Sequence, residues 1–350
     1  MSNRNLLLDE LRGLAIVFVV ISHLLLFTLK TPLDGFALAV VCSFQMPFFM
    51  FLAGYSLGLG HSELNFSYVV KRMICLCAPF FSWCFIKGVY DRSFDTMSLI
   101  LLIPENGLWF LWALAWITFF IWCGQKLVLL IKNDIGYFII AFCLVAIDSL
   151  FSIQYFGFSN ISYFYIFFLV GYKIQVFWGR RSKVFKRSAI AICSVVFFTM
   201  LPFWRFPGQI LFENDCRHFF NTIHITRGGV FSLILDVGFF FLKKYIIQFA
   251  GIVFVVSLYK FFRNILFCKI KQLLAFIGTR TIDIYAMHIF IFLAPFSFSN
   301  RWFDAFIKFL LAFLCPLAIG SLIRKSKWCS FMLLGANPPF YKQKTFRNNL

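Results

Sequence analysis

Asp9-Glu10-Leu11-Arg12-Gly13-Leu14-Ala15-Ile16-Val17-Phe18-Val19-Val20-Ile21-Ser22-His23 opens an apolar run reaching Leu29, long enough to cross a bilayer, yet it carries an arginine and a histidine. An ionisable group inside a membrane span is expensive and is a functional-site hypothesis by default. On an α-helix, the step from Arg12 to His23 at about 100° per residue brings the histidine back to within roughly 20° of the arginine's face, about 16 Å further along. Asp9 lies on that side too, at the i,i+3 spacing that lets it pair with the guanidinium. One face of the first helix therefore offers a cation near the membrane surface and an imidazole somewhat past mid-span.

The rest of the chain shares this apolar character. Of its 350 residues 61% are hydrophobic and 21% aromatic, only 13% are charged, and the mean hydropathy is +0.85, which excludes an ordinary soluble domain. The net charge of +19 does not indicate nucleic acid, because the cations lie in short runs between apolar segments instead of on one basic face. The eleven cysteines are scattered, and Cys42, Cys84, Cys143 and Cys315 fall inside apolar runs where cysteine behaves as a small hydrophobe. Cys75 and Cys77 have neither zinc nor redox spacing, so no metal and no disulfide is indicated. The first run reads as an uncleaved signal anchor, since no small-residue cleavage site follows it.

Crossings are expected at residues 11–29, 36–59, 73–90, 107–124, 135–152, 161–178, 188–204, 272–298 and 302–323, with one or two more inside 228–262 around Lys243-Lys244. Charge bias favours one. With the N-terminus in the cytoplasm, Lys71 and Arg72, Lys126 and Lys132, and the Arg180 to Arg187 cluster fall inside; Lys260, Arg263, Lys269 and Lys271 and the tail join them only if 228–262 crosses once. The expectation is an all-α polytopic bundle of about ten membrane-spanning helices. It forms a single transmembrane domain over 1–330, followed by a basic cytoplasmic tail, 331–350, at the membrane surface or disordered. Residues 205–227 and 91–106 form the two long outer loops, the second containing Glu105.

Four further stretches are patterned. Phe48-Phe49-Met50-Phe51-Leu52-Ala53-Gly54-Tyr55 fits a packing glycine in a helix crossing. Lys71-Arg72 precede Pro79, where plain topology explains the charge. Leu108-Trp109-Phe110-Leu111 fits an interfacial aromatic belt. In Gly278-Thr279-Arg280-Thr281-Ile282-Asp283-Ile284-Tyr285-Ala286-Met287-His288, the i, i+4, i+7 spacing of Thr281, Tyr285 and His288 puts them on one helix face, which suits hydrogen-bonded packing as well as chemistry. Asp148 and Asp236 are intramembrane polar candidates best explained as salt-bridge partners.

Together with the opening stretch, these residues resemble the integral-membrane O-acyltransferases of the acyltransferase-3 family, typified by bacterial enzymes that acetylate surface polysaccharides. The most specific match is the arginine, ten intervening residues and histidine formed by Arg12 and His23. The chain departs from the family at Cys75, where many members carry a second arginine after the one matched by Arg72.

The resemblance implies an acyl (most often acetyl) transfer from cytoplasmic acetyl-CoA to a hydroxyl of a surface polysaccharide, O-antigen or lipid-linked glycan, in the bacterial inner membrane with both termini cytoplasmic. His23 is then the general base or a transient acyl carrier, supported by Arg12 and Asp9. Arg12, with Lys71 or Arg72, would hold the coenzyme's phosphates, and the step of about 16 Å to His23 is comparable to an extended pantetheine arm. The acceptor would approach Trp109, Glu105, Tyr285 and His288. The chain ends too soon after the core for the soluble hydrolase-like domain fused to some members. Lipid, acyl-CoA and glycan are the implied partners, with nucleic acid excluded and a homo-oligomer left open. A glycan permease or exporter with the same polytopic core is the competing reading.

Overall fold

A computed structural model describes residues 5–33, 35–60, 63–90, 108–151, 155–179, 181–206, 209–211, 213–222 and 230–339. Their elements are helices and one short antiparallel β pairing. In chain order these are α1 (Leu6–His23), a π-helical turn (Leu24–Thr28), α2 (Phe36–Cys42), α3 (Gln45–Gly60), α4 (Phe66–Tyr90), α5 (Trp109–Ile131), α6 (Ile135–Phe151), α7 (Phe158–Gly179) and α8 (Lys183–Met200). The strands β1 (Trp204–Arg205) and β2 (Gln209–Ile210) pair next, then come α9 (Glu213–Thr222), α10 (Val230–Phe241), a second π-helical turn (Leu242–Ile246), α11 (Ile247–Phe262), α12 (Cys268–Gly278), α13 (Thr281–Leu293), α14 (Arg301–Ile323) and α15 (Lys327–Leu334).

Among the described residues six helical segments are long and apolar enough to cross a membrane: Leu6–Thr28, Phe36–Gly60, Phe66–Tyr90, Trp109–Ile131, Ile234–Phe262 and Arg301–Ile323. The bent pair α12 and α13 raises the number to seven if it counts as one span. The chain is thus a multi-pass helical membrane protein, with fewer qualifying helices than the ten crossings expected. Two of the differences have a visible cause. Helix α6 is one of the shorter apolar helices, and at 1.5 Å per residue its 17 residues fall short of the roughly 30 Å hydrocarbon core. In α8, Lys183, Lys186 and Arg187 occupy the opening turns.

The region 228–262 contributes one candidate span, in keeping with the charge bias. Lys243 and Lys244 sit in the π turn that joins α10 to α11, and the buried Trp204 donates its indole N–H to the Lys243 carbonyl at 3.3 Å. By contrast, the crossing expected at 272–298 is broken: α12 and α13 meet at 84° across Thr279-Arg280.

The described residues divide into two compact units. One comprises residues 1–60 and 170–314. In it α1 packs against α12, α3, α13 and α2, while α11 packs against α8 and α3. The α1–α12 crossing is a backbone contact: a Cβ on Gly13 would overlap the Leu274 carbonyl, and one on Gly278 would overlap that of Asp9. Small residues permit such approach where side chains would hold helices apart.

The other unit comprises 61–169 and 315–350, with α4 packed on α5 and α15, and α5 on α6. Its α15 runs from the end of the expected domain into the first residues of the expected tail. Ser326 caps this helix by accepting from the Cys329 amide, and Gly335 ends it at a φ of +64° that L side chains rarely adopt. Trp83 donates to the Leu333 carbonyl at 2.9 Å and the Cys75 thiol lies 3.6 Å from that of Ala336. The chain through Ala336 is therefore bonded to α4, because its apolar residues Phe331 and Leu334 have a helix to bury against.

Candidate active site

Helix α1 is regular from Leu6 to His23, started by Asn5, whose side chain accepts from the Leu8 amide, so the Arg12-to-His23 phase expected from spacing is kept. At the near end Arg12 is ion-paired with Asp9 at 3.5 Å and donates to the Ser56 hydroxyl of α3. Its guanidinium is half-exposed and held in one orientation, while Asp9 is buried.

At the far end His23 meets His288. The two rings are 4.9 Å apart in an edge-to-face arrangement, with His288 Nε2 3.3 Å from His23 Nδ1. His288 Nδ1 lies 2.8 Å from the Ile284 carbonyl and 3.0 Å from that of Tyr285. Carbonyls only accept, so in the neutral ring Nδ1 carries the proton and Nε2 presents its lone pair. His23 Nδ1 faces that lone pair and the Val19 carbonyl at 2.9 Å. Both are acceptors, so the proton of neutral His23 sits on Nδ1. Its Nε2 is left unprotonated, and it makes no hydrogen bond among the described residues. Phe27 stacks on the same ring at 5.8 Å. The pair thus has the form of a base with an orienting partner, the arrangement used to activate hydroxyl nucleophiles.

Of the residues expected on the substrate side, His288 is 2% exposed with Nε2 turned to His23, so it backs that ring. Tyr285 and Thr281 are half-buried on the same helix. Lys71, Arg72 and Trp109 belong to the other unit. There Arg72 reaches Thr118 of α5 at 3.3 Å and the Tyr68 hydroxyl at 3.4 Å, and Trp109 stacks on Phe164 at 5.2 Å. Glu105 lies outside the described residues. Asp148 accepts from Ser159 at 2.7 Å and Ser162 at 3.4 Å, hydroxyl partners in place of the expected cation, because the first turns of α7 present serines to it. Asp236 is exposed on α10.

Sequence reasoning passed over Glu10. It is 3% exposed and accepts from Arg263 through both oxygens, at 2.6 and 3.0 Å, and from the Tyr259 hydroxyl at 3.0 Å. A carboxylate at the head of an apolar run demands a cation, but nothing local says that it stands some 250 positions away.

A family model described as "Acyltransferase domain" matches residues 5–325. Nodulation protein NolL of Mesorhizobium japonicum is 28% identical over 135 residues, which is 34% of this chain and 35% of that relative. The matched stretch therefore spans about a third of the relative's length. No solved structure matches.

Proposed function

The chain belongs to this acyltransferase family, and on that premise we propose that it transfers an acetyl group from cytoplasmic acetyl-CoA to a hydroxyl of a surface polysaccharide, O-antigen or lipid-linked glycan. The observation that carries the reading is the His23–His288 contact, which leaves His23 Nε2 as an unprotonated nitrogen on a half-buried ring. An acceptor hydroxyl placed against Nε2 gives up its proton there as its oxygen attacks the acyl carbonyl carbon. The imidazolium so formed keeps Nδ1–H bonded to Val19 and His288, and it returns the other proton to the departing thiolate. Because His23 serves as base, no acyl-enzyme is needed.

Arg12 is proposed to grip the coenzyme's phosphates, since Asp9 and Ser56 already fix its guanidinium fork and phosphate recognition favours that geometry. Lys71 and Arg72 are proposed as further phosphate contacts. The helix rise of about 16 Å between Arg12 and His23 suits the pantetheine arm. The acceptor is proposed to approach from the outer side, near Trp109, Glu105 and Tyr285, with the chain in the bacterial inner membrane and both termini cytoplasmic.

The test is acetyl transfer by the purified protein in lipid, using labelled acetyl-CoA and a membrane glycan extract of the cells that naturally express it. Label should move to glycan with wild type and not with His23→Ala, at equal membrane insertion. A normally inserted, active His23→Ala protein refutes the base. Glycan movement across vesicles without coenzyme consumption would favour an exporter.

A further inference from the structure

Thr28 closes the π-helical turn that follows His23 and is 9% exposed, yet its hydroxyl has no hydrogen-bond partner among the described residues. A helical threonine normally donates back to the carbonyl one turn earlier. Thr118, Thr199 and Thr222 all do so here, at 2.8 to 2.9 Å. Thr28 makes no such bond among the described residues. The turn around it is widened: the Leu29 amide donates to the Leu24 carbonyl and the Thr31 amide to that of Leu25, each at 2.9 Å. A buried hydroxyl without a partner among the described residues thus sits in the turn that follows His23, and π turns recur at functional sites.

Direction follows from the same turn. Phe27 lies over the His23 ring nearly parallel to it, so the wide turn has come back to the histidine's side by residue 27. Phe27 is exposed and Thr28, the next position round, is buried. Both α1 and the π turn pack against α13, the helix that carries His288. Thr28 therefore lies on the buried side of a turn that packs against the helix carrying His288.

We propose that Thr28 is a catalytic residue that donates its hydroxyl hydrogen to the carbonyl oxygen of the acyl thioester, stabilising the oxyanion formed in the transfer; this rests on the acyl-transfer reading above. In the first step the acceptor oxygen bonds to the acyl carbon, its proton passes to His23 Nε2, and the C=O electron pair moves onto the oxygen held by Thr28. In the second the C=O bond re-forms, the C–S bond breaks, and the thiolate takes the proton from His23. The products are an ester and the free coenzyme thiol.

Thr28→Val keeps the shape and removes the hydroxyl; Thr28→Ser keeps the hydroxyl. With labelled acetyl-CoA and the same glycan extract, kcat of Thr28→Val should fall about 100- to 1,000-fold. KM for acetyl-CoA should stay within about twofold, because the bond strengthens only in the transition state. Thr28→Ser should keep most of the activity. As the hydroxyl has no internal partner, Thr28→Val should melt no lower than wild type, which separates lost chemistry from lost structure, and Thr28→Ala should show the same kcat loss. If wild type transfers and His23→Ala does not, but Thr28→Val keeps kcat within about threefold, the Thr28 assignment is overturned and the base stands. If wild type transfers nothing, both fall together.

Discussion

Replacing His288 by phenylalanine removes the acceptor behind His23, the proposed base, while keeping a ring in a site that is 2% exposed. In the proposed transfer His23 becomes cationic once it has taken the acceptor proton, and its Nδ1–H then donates to the Val19 carbonyl and to His288 Nε2, 3.3 Å away. A hydrogen bond to a charged group contributes about 1.5–3 kcal/mol. At about 1.4 kcal/mol per decade, its loss from the transition state lowers kcat by about 10- to 150-fold. The contact is long for a hydrogen bond and Val19 still accepts, so the lower end, about 10- to 30-fold, is expected. His288→Gln offers a carbonyl oxygen near the same place and should recover part of the loss. The assay is acetyl transfer in lipid with kcat and KM separated, alongside thermal melting of each variant. Activity of His288→Phe within about twofold of wild type would refute the orienting role. So would a loss as complete as that of His23→Ala, since His288 would then carry protons itself.

Two further perturbations address the scaffold that sets this contact. Gly278→Ala places a Cβ into the Asp9 carbonyl, so α1 and α12 must separate; overpacking of this kind costs about 1–3 kcal/mol and should lower the melting temperature in detergent, with an unchanged melt counting against the backbone contact. Glu10→Gln leaves the Arg263 guanidinium without its carboxylate, and because that side chain is 34% exposed the cost should fall to about 1–3 kcal/mol, below that of a fully buried pair. Tyr259→Phe loses one hydrogen bond of the same cluster and should cost about 0.5–1.5 kcal/mol by the same melt, with a loss larger than that of Glu10→Gln refuting the ranking.

The reading of α1 survives folding because it depends on one helix alone. Apolar length, an N-terminal cap and a 3.6-residue period are local properties, and the Asp9–Arg12 pair is a neighbour contact. The same holds for Thr281, Tyr285 and His288 as members of one helix. Where long-range packing intervened, local rules fell short: 272–298 looked like one crossing, but the chain turns by 84° after Gly278, whose missing side chain lets α12 press onto α1. The departure at Cys75 likewise acquires a reason only in the fold, where the thiol lies against the Ala336 carbonyl and α15 packs on α4.

What the sequence determined by itself is that this is a multi-pass helical membrane protein whose first helix carries a cation and an imidazole in phase. Composition and periodicity report directly on solvent and on helix faces, so both are legible without coordinates. Tertiary structure alone decided that His288 stands behind His23 and that Glu10 is tied to Arg263. It alone showed that the π turn after His23 ends in a buried threonine, Thr28, whose hydroxyl has no hydrogen-bond partner among the described residues. The physical reason is that a pairing across 265 residues leaves no local periodicity to read. A one-residue widening of a helix turn changes no hydrophobic pattern, yet it rotates the side chains that follow it to a different face.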